Sequence, residues 1–340
     1  MKKTAYLLIA LILLALCASA ALAEEKATKD LFAMDTHISI TAYSETASEA
    51  LEAAEALLLE RERLWSVTLE GSDIHAVNHA DGEEVAVSEA TADVLSLALE
   101  MAESTGGAYD PTIYPLVSLW GFTTGEYRVP EADEIGRMLE LVDHSAVSID
   151  GYTVALKKGM QLDLGGIAKG RAGEEVAALL QERGVDSALV DLGGNIHAVG
   201  CKPDGSAWKI GVKSPTGEGL LGVLSICDQC VITSGAYERC FTGEDGETYG
   251  HIIDPDTGRP ADSGLLSVTI VGSDGGRCDA LSTAMFVMGI EEACEYWRAN
   301  EGFEMIALTD GGTLYVTEGL EENFVAEDEG LIREVCVVER

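Results

Sequence analysis

Met160-Gln-Leu-Asp-Leu-Gly-Gly166 and Ser187-Ala-Leu-Val-Asp-Leu-Gly-Gly-Asn195 are two apolar runs that close on the same Asp-Leu-Gly-Gly. Each reads as a strand ending at paired glycines, where the backbone can be approached closely. The first leads into a helix over 167–183. N-terminal to this unit, residues 31–43 alternate and read as a strand. Ser48 to Trp65 reads as a helix, with Ala50, Ala53, Ala54, Leu57, Leu58 and Leu64 recurring near period 3.6. Ser88-Glu-Ala-Thr opens a second helix that runs to about Ser104 and stops at Gly106-Gly107, and Pro130 to Leu141 is a third. C-terminal to it, Trp208 to Val271 carries short strands and turns. A helix spans Asp279 to Met288 and another 290–299; the last strands lie near 304–316. Strands and helices mix without strict alternation, which predicts an α+β fold. No Pro- or Ser-rich linker divides the chain, so the two lobes it can form are interleaved.

The 340 residues include 22 basic and 59 acidic side chains, a formal charge of −37. Such a field repels phosphate, so a nucleic-acid partner is excluded, and a local phosphate site needs backbone amides, a metal ion or a few placed cations. The N-terminus reads as a targeting segment: Lys2 and Lys3, an apolar run Tyr6–Leu16, then Ala21-Leu22-Ala23 as a cleavage site. Residues 1–23 are therefore expected to be a signal peptide, the mature chain to begin at Glu24, and the protein to be exported. Lipid attachment at Cys17, or membrane attachment through the N-terminal segment, is the alternative. No other stretch approaches about 18 apolar residues. Of the eight cysteines, Cys227 and Cys230 are the only close pair. They can be a redox pair or half a zinc site, but unpaired thiols in a strand region is the preferred reading.

The common nucleotide, hydrolase and zinc-protease signatures are missing. Asp279 and Thr283 stand one helical turn apart on one face, two hard oxygens suited to Mg²⁺ or Ca²⁺; taken alone, the preferred reading is that Asp279 caps the helix and Thr283 is buried. His251-Ile-Ile-Asp-Pro-Asp-Thr-Gly258 puts a histidine at a strand end before a fixed turn, where it can act as a general base, or be incidental. Ala108-Tyr-Asp-Pro-Thr-Ile-Tyr-Pro-Leu-Val-Ser-Leu-Trp-Gly-Phe122 gathers aromatics and prolines able to stack on a planar ring and hydrogen-bond through Asp110, or to form a rigid buried loop.

Taken together and in order, these blocks resemble the FAD:protein FMN transferase (ApbE) family. Met34-Asp-Thr36, Ser72-Asp-Ile with Asn78, Asp110-Pro-Thr, Leu162-Asp-Leu-Gly-Gly-Ile-Ala-Lys-Gly170, Leu192-Gly-Gly-Asn195, Thr233-Ser-Gly-Ala-Tyr-Glu-Arg239, His251-Ile-Ile-Asp-Pro255 and Asp279-Ala-Leu-Ser-Thr283 carry the likeness over nearly the whole mature chain. The resemblance implies an ApbE-like, T-fold-related architecture over 24–340. It implies Mg²⁺-dependent transfer of the FMN half of FAD to a Ser or Thr hydroxyl of an acceptor protein, with release of AMP. Acceptors in the family are typically membrane redox-pump subunits with a short Ser/Thr-containing motif. By motif position the metal ligands are Asp279, Thr283, the Gly166 carbonyl and Ser282. Met34, Trp65, Ala108, Tyr109, Asp110, Asp163, Lys169 and Ile252 would contact FAD. His251 would be the base, titrating at about 6.5 if unperturbed. Asp35 and Tyr109 depart from the usual glycine and phenylalanine, and Arg171 and Glu174 from an aromatic and an aspartate. Hydrolysis of FAD to FMN and AMP, and non-catalytic flavin binding by an exported protein, are the alternative activities.

Overall fold

The computed structural model describes residues 25–237, 239–327 and 330–340; the expected signal segment and Cys17 lie outside them. The architecture is α+β, built on one nine-stranded sheet whose spatial order follows the chain. Its strands are β1 (Lys26–Ala33), β2 (Thr36–Tyr43), β3 (Ser187–Leu192), β4 (Asn195–Val199), β5 (Cys230–Gly235), β6 (Leu265–Gly272), β7 (Phe303–Thr309), β8 (Thr313–Thr317) and β9 (Glu334–Val338). Neighbours pair antiparallel except β8 and β9, which are parallel.

Both faces of the sheet are covered, so its inner strands read as continuous apolar runs. On β7, Ala307 belongs to the core shared with the helices, while Ile306 and Leu308 face a second core. That second core is closed by the hairpin Trp208–Lys213 and Leu220–Ile226, which takes Phe324–Ala326 as a third strand. The helical face carries α1 (Ala47–Trp65), α2 (Asp73–Asn78), α3 (Glu89–Ser104), α6 (Ala168–Glu182), α7 (Gly275–Met288) and α8 (Ile290–Ala299), while α4 (Tyr114–Leu119) and α5 (Ala132–Leu139) pack together in a third cluster around Trp120 and Ile253. The first six helices lie between β2 and β3 in the chain.

Three expectations need correction. The strand expected over 31–43 is a hairpin, β1–β2, folded at Met34-Asp35. The helix bearing Asp279 starts earlier, at Gly275, capped by the Asp274 side chain on the Arg277 N–H. Met160–Leu164 is not a sheet strand. Its backbone is held by side chains and single contacts: Asn78 donates from Nδ2 to the Leu162 carbonyl at 2.9 Å and accepts the Leu162 N–H at 2.6 Å. The Asp163 N–H donates to the Pro111 carbonyl at 2.7 Å, and Gln161 makes an isolated bridge with Ile113. Asn78→Ala leaves a buried N–H and C=O unpaired. It should cost about 2–4 kcal/mol in urea unfolding, and a loss below about 1 kcal/mol would show that the clamp is dispensable.

Cys227 is disulfide-bonded, to Cys201 rather than to Cys230, so the reading of unpaired thiols fails at this residue. Cys230 is a free buried thiol, and Cys240 a free exposed one.

Candidate active site

Strand direction gathers the site. In a sequential antiparallel sheet alternate connections share one end, so the β1–β2 turn, the β3–β4 turn and the long β5–β6 connection emerge together. They bring Met34 and Asp35, Gly193 and Asn195, and Tyr237, Arg239 and His251 to one cleft of about 1240 Å³. The N-terminal end of α6 and the face of α7 complete it with Asp163, Gly165, Gly166, Lys169, Asp279 and Thr283. Trp65, Ala108, Tyr109, Asp110 and Ile252 form the rest of its walls. Every residue expected at the site from sequence lines this cleft except Ser282, which is fully buried behind it.

Helices α6 and α7 meet at two glycines. A Cβ on Gly170 would sit 2.1 Å from the Gly275 carbonyl oxygen, and one on Gly275 would sit 2.3 Å from the Gly170 carbonyl oxygen. This approach lets Asp279 reach across from α7. Its Oδ2 accepts the Gly170 N–H at 2.8 Å, one of the amides that the first turn of α6 leaves without an intrahelical partner. Ser282 donates to the Asp279 carbonyl at 2.8 Å and shares a 2.8 Å hydrogen bond with Ser234, which lies 3.5 Å from the Thr283 hydroxyl. Ser282 therefore braces the turn, and Thr283 is the hydroxyl that faces the cleft. A Cβ on Gly166 would lie 3.3 Å from Thr283 Oγ1 and 3.1 Å from the Tyr109 ring, so glycine keeps this corner open.

The donor set of Asp279, Thr283 and the Gly166 backbone is all hard oxygen, the chemistry that Mg²⁺ takes. Among the described residues no three His, Cys, Asp or Glu side chains cluster in a way that could hold a metal ion. A cation here would depend on this mixed set and on oxygens supplied by its ligand.

The Asp110 carboxylate is spent inside the wall. Its Oδ1 accepts from the Thr112 N–H and hydroxyl at 2.8 and 2.6 Å, and its Oδ2 faces the His144 N–H and Nδ1 at 3.2 and 2.9 Å. What it supplies to the cleft is a rigid turn. Asp163 accepts the Gly165 N–H at 2.7 Å, and burial raises its pKa against the lowering effects of that bond and of Lys169 and Arg239. Burial, reinforced by Asp163, Asp279 and Asp110, lifts the Tyr109 phenol well above its usual range, so it stays protonated.

Four buried polar atoms without a partner belong to residues lining this cleft: Trp65 Nε1, Tyr109 Oη, Asn195 Nδ2 and His251 Nδ1. Orphaned polar groups are rare in native interiors, and their gathering at one cleft marks it as shaped for a polar ligand.

His251 follows the short strand Thr248–Gly250, and its N–H donates to the Arg239 carbonyl at 2.9 Å. Its ring meets the edge of Phe122 with centroids 6.4 Å apart. The turn after it is closed by the Gly258 N–H on the Asp254 carbonyl at 2.8 Å, and the buried Trp120 donates to the Gly258 carbonyl at 2.9 Å. Burial, then the charges of Arg239 and Lys169, lowers the His251 pKa to about 4. Burial alone lowers His197 to the same value, but that ring is wedged against Gly173 and Gly275 and does not line the cleft. The shift is shared; what separates the two is position, since only His251 lines the cleft.

Sequence reasoning gave no role to Asn195, Ser234 or Arg239, although each stands inside a block it had recognised. Their signal was the block itself; what each side chain reaches depends on tertiary contacts.

The family model described as "ApbE family" matches residues 34–307. The FAD:protein FMN transferase of Treponema pallidum is 38% identical over 276 residues, 76% of either chain. A second, from Klebsiella pneumoniae, is 34% identical over 289 residues, covering 83% of this chain and 89% of that one. The crystal structure of the ApbE protein of Thermotoga maritima superposes with a TM-score of 0.82 at 34% identity, over 88% of this chain and 99% of that one. The chain belongs to the ApbE family.

Proposed function

We propose that this chain transfers the FMN half of FAD to a Ser or Thr hydroxyl of an acceptor protein and releases AMP. The observation that carries the reading is the placement of Asp279, Thr283, Gly166, Lys169 and His251 in one cleft. The cleft is larger than the roughly 300–1,000 Å³ of ordinary ligand pockets, which suits a dinucleotide, and its orphaned polar atoms suit a ligand rich in hydrogen-bonding groups.

The acceptor oxygen attacks the flavin-side phosphorus of FAD. That P–O bond forms as the bond to the AMP phosphate breaks, and the AMP phosphate carries away the electron pair. His251, neutral at pH 7, takes the hydroxyl proton. Asp279, Thr283 and the Gly166 carbonyl would hold Mg²⁺, which when bound neutralises diphosphate charge and polarises the phosphoryl group. Lys169, at the start of α6, whose first turn carries no acidic residue, favours the same anion. The walls Trp65, Ala108, Tyr109 and Ile252 pack the remainder of the dinucleotide.

Incubation with FAD, Mg²⁺ and an acceptor domain, followed by intact mass, is the direct test. The acceptor should gain one FMN; conversion of FAD to FMN and AMP with no gain in acceptor mass would establish the hydrolase instead. The acceptor class inferred from the resemblance is a membrane redox-pump subunit.

We place the activity outside the cytoplasm. Support comes from the signal-like segment and from the Cys201–Cys227 disulfide, a bond that persists in oxidising compartments. The native protein should have an N-terminus near Glu24. A diacylglycerol on Cys17 would replace cleavage at Ala23 with lipid anchoring.

A further inference from the structure

The β1–β2 turn is strained at the cleft. Met34 and Asp35 both have positive φ, 52° and 58°. A two-residue hairpin turn of this hand favours Asn or Asp and then glycine, because Asn and Asp tolerate positive φ and glycine has no Cβ, whereas Met34 brings its Cβ against the backbone. Glycine at 35 would adopt this conformation more readily than Asp35 does. Strain kept at a ligand site is a reason to ask what the side chain does.

The Asp35 side chain reaches from this turn to the β5–β6 connection, where its Oδ2 lies 2.7 Å from Arg239 Nη2. Both residues line the cleft. The pair is open to water, with the Asp35 side chain 76% and the Arg239 side chain 50% exposed. An exposed ion pair is weak and easily exchanged. The Arg239 backbone is not free to wander, since its carbonyl accepts the His251 N–H. The guanidinium is thus tethered beside the proposed base. Among the described residues, the other cations lining the cleft are Lys169 and Lys213. Lys169 Nζ is 3.4 Å from the Gly165 carbonyl, and only arginine offers the planar fork that pairs two phosphate oxygens at once.

We propose that Arg239 binds the anionic diphosphate of the ligand and that Asp35 holds it in reserve, the diphosphate displacing the Asp35 carboxylate from the guanidinium as it enters. This rests on the flavin-dinucleotide reading above. Asp35 is then a specificity device of this chain. It positions the arginine in the empty cleft and places a negative charge at the mouth, so phosphate-bearing flavins bind less tightly than they otherwise would.

The test is equilibrium binding, read by quenching of flavin fluorescence without Mg²⁺, so that turnover does not intrude. FAD and riboflavin are compared on the wild-type, Asp35→Asn and Arg239→Met chains. Asparagine tolerates positive φ, so Asp35→Asn removes the charge and keeps the turn. It should tighten FAD about 3- to 10-fold, and Arg239→Met should weaken FAD about 10-fold or more. Riboflavin, which has no phosphate, should bind all three chains alike. The Asp35→Asn gain should be lost when Arg239→Met is also present, beyond what the removed repulsion alone leaves. FAD affinities equal in all three chains would overturn the latch and leave the flavin reading standing. Equal tightening of FAD and riboflavin by Asp35→Asn would also overturn it, since the effect would then come from the turn and not from the charge. Failure of the wild-type chain to bind FAD both here and with Mg²⁺ restored would remove the flavin reading and the latch with it.

Discussion

Asp279→Asn is expected to lower Mg²⁺-dependent FMN transfer by roughly 10²–10³-fold or more while the fold persists. Asp279 is buried, and its Oδ2 accepts the Gly170 N–H. An asparagine amide oxygen can accept the same hydrogen bond, so the α6–α7 crossing stays supported. What disappears is the one negative charge in the proposed cation site, and with it the neutralisation of the diphosphate in the transition state. Asp279→Ala removes the acceptor too. It leaves the Gly170 amide without its partner at a buried crossing and should cost a further 1–3 kcal/mol or so of stability. Initial rates across a Mg²⁺ titration, together with melting temperatures of both variants, separate the two contributions. Wild-type turnover by Asp279→Asn at limiting Mg²⁺ would place the cation elsewhere. A lost fold in the Asn variant would make Asp279 a structural cap first.

Much of this was legible in the sequence, and the rest was hidden for physical reasons. Helix α1 shows itself through its apolar spacing and α3 through the Ser88 cap, which accepts the Thr91 N–H. These are local interactions, and local sequence encodes them. The β1–β2 turn was missed because Met34-Asp35 lacks the glycine that marks a two-residue hairpin turn; the pairing of Ala33 with Thr36 forces its hand. Met160–Leu164 reads as a strand because it is apolar, but its partners are Asn78 and Pro111, far away in sequence and outside any sheet. Cys201 and Cys227 give no spacing signal, since the bond depends on where the β4–β5 connection returns. The positions of the site were readable from ordered motif blocks. The roles of individual atoms were not: Asp110 spends its carboxylate on Thr112 and His144, and Ser282 supports Asp279 from behind.

The protonation of His251 is the most consequential of these hidden properties. Sequence alone suggests a base that gains activity through about pH 6.5. In the structure, burial and the neighbouring charges of Arg239 and Lys169 bring its pKa to about 4. The sign follows directly. A general base works in its neutral form, and that fraction grows as pH rises through the folded value. The acid limb of the rate should therefore be centred near 4, with no histidine-dependent gain between roughly pH 6 and 8. His251→Ala should lower turnover by about 10²–10⁴-fold with a much smaller change in FAD affinity, because in the proposed reading Lys169, Arg239 and the cleft walls would hold the dinucleotide. Both quantities belong in the same experiment: single-turnover rates from acid to neutral pH, and FAD binding by fluorescence, on wild type and variant. A wild-type limb near 6.5 would mean that the imidazole is solvated in the working complex. A loss in the variant accounted for wholly by weaker FAD binding would make His251 a ligand-binding residue, and the acceptor proton would then need another base.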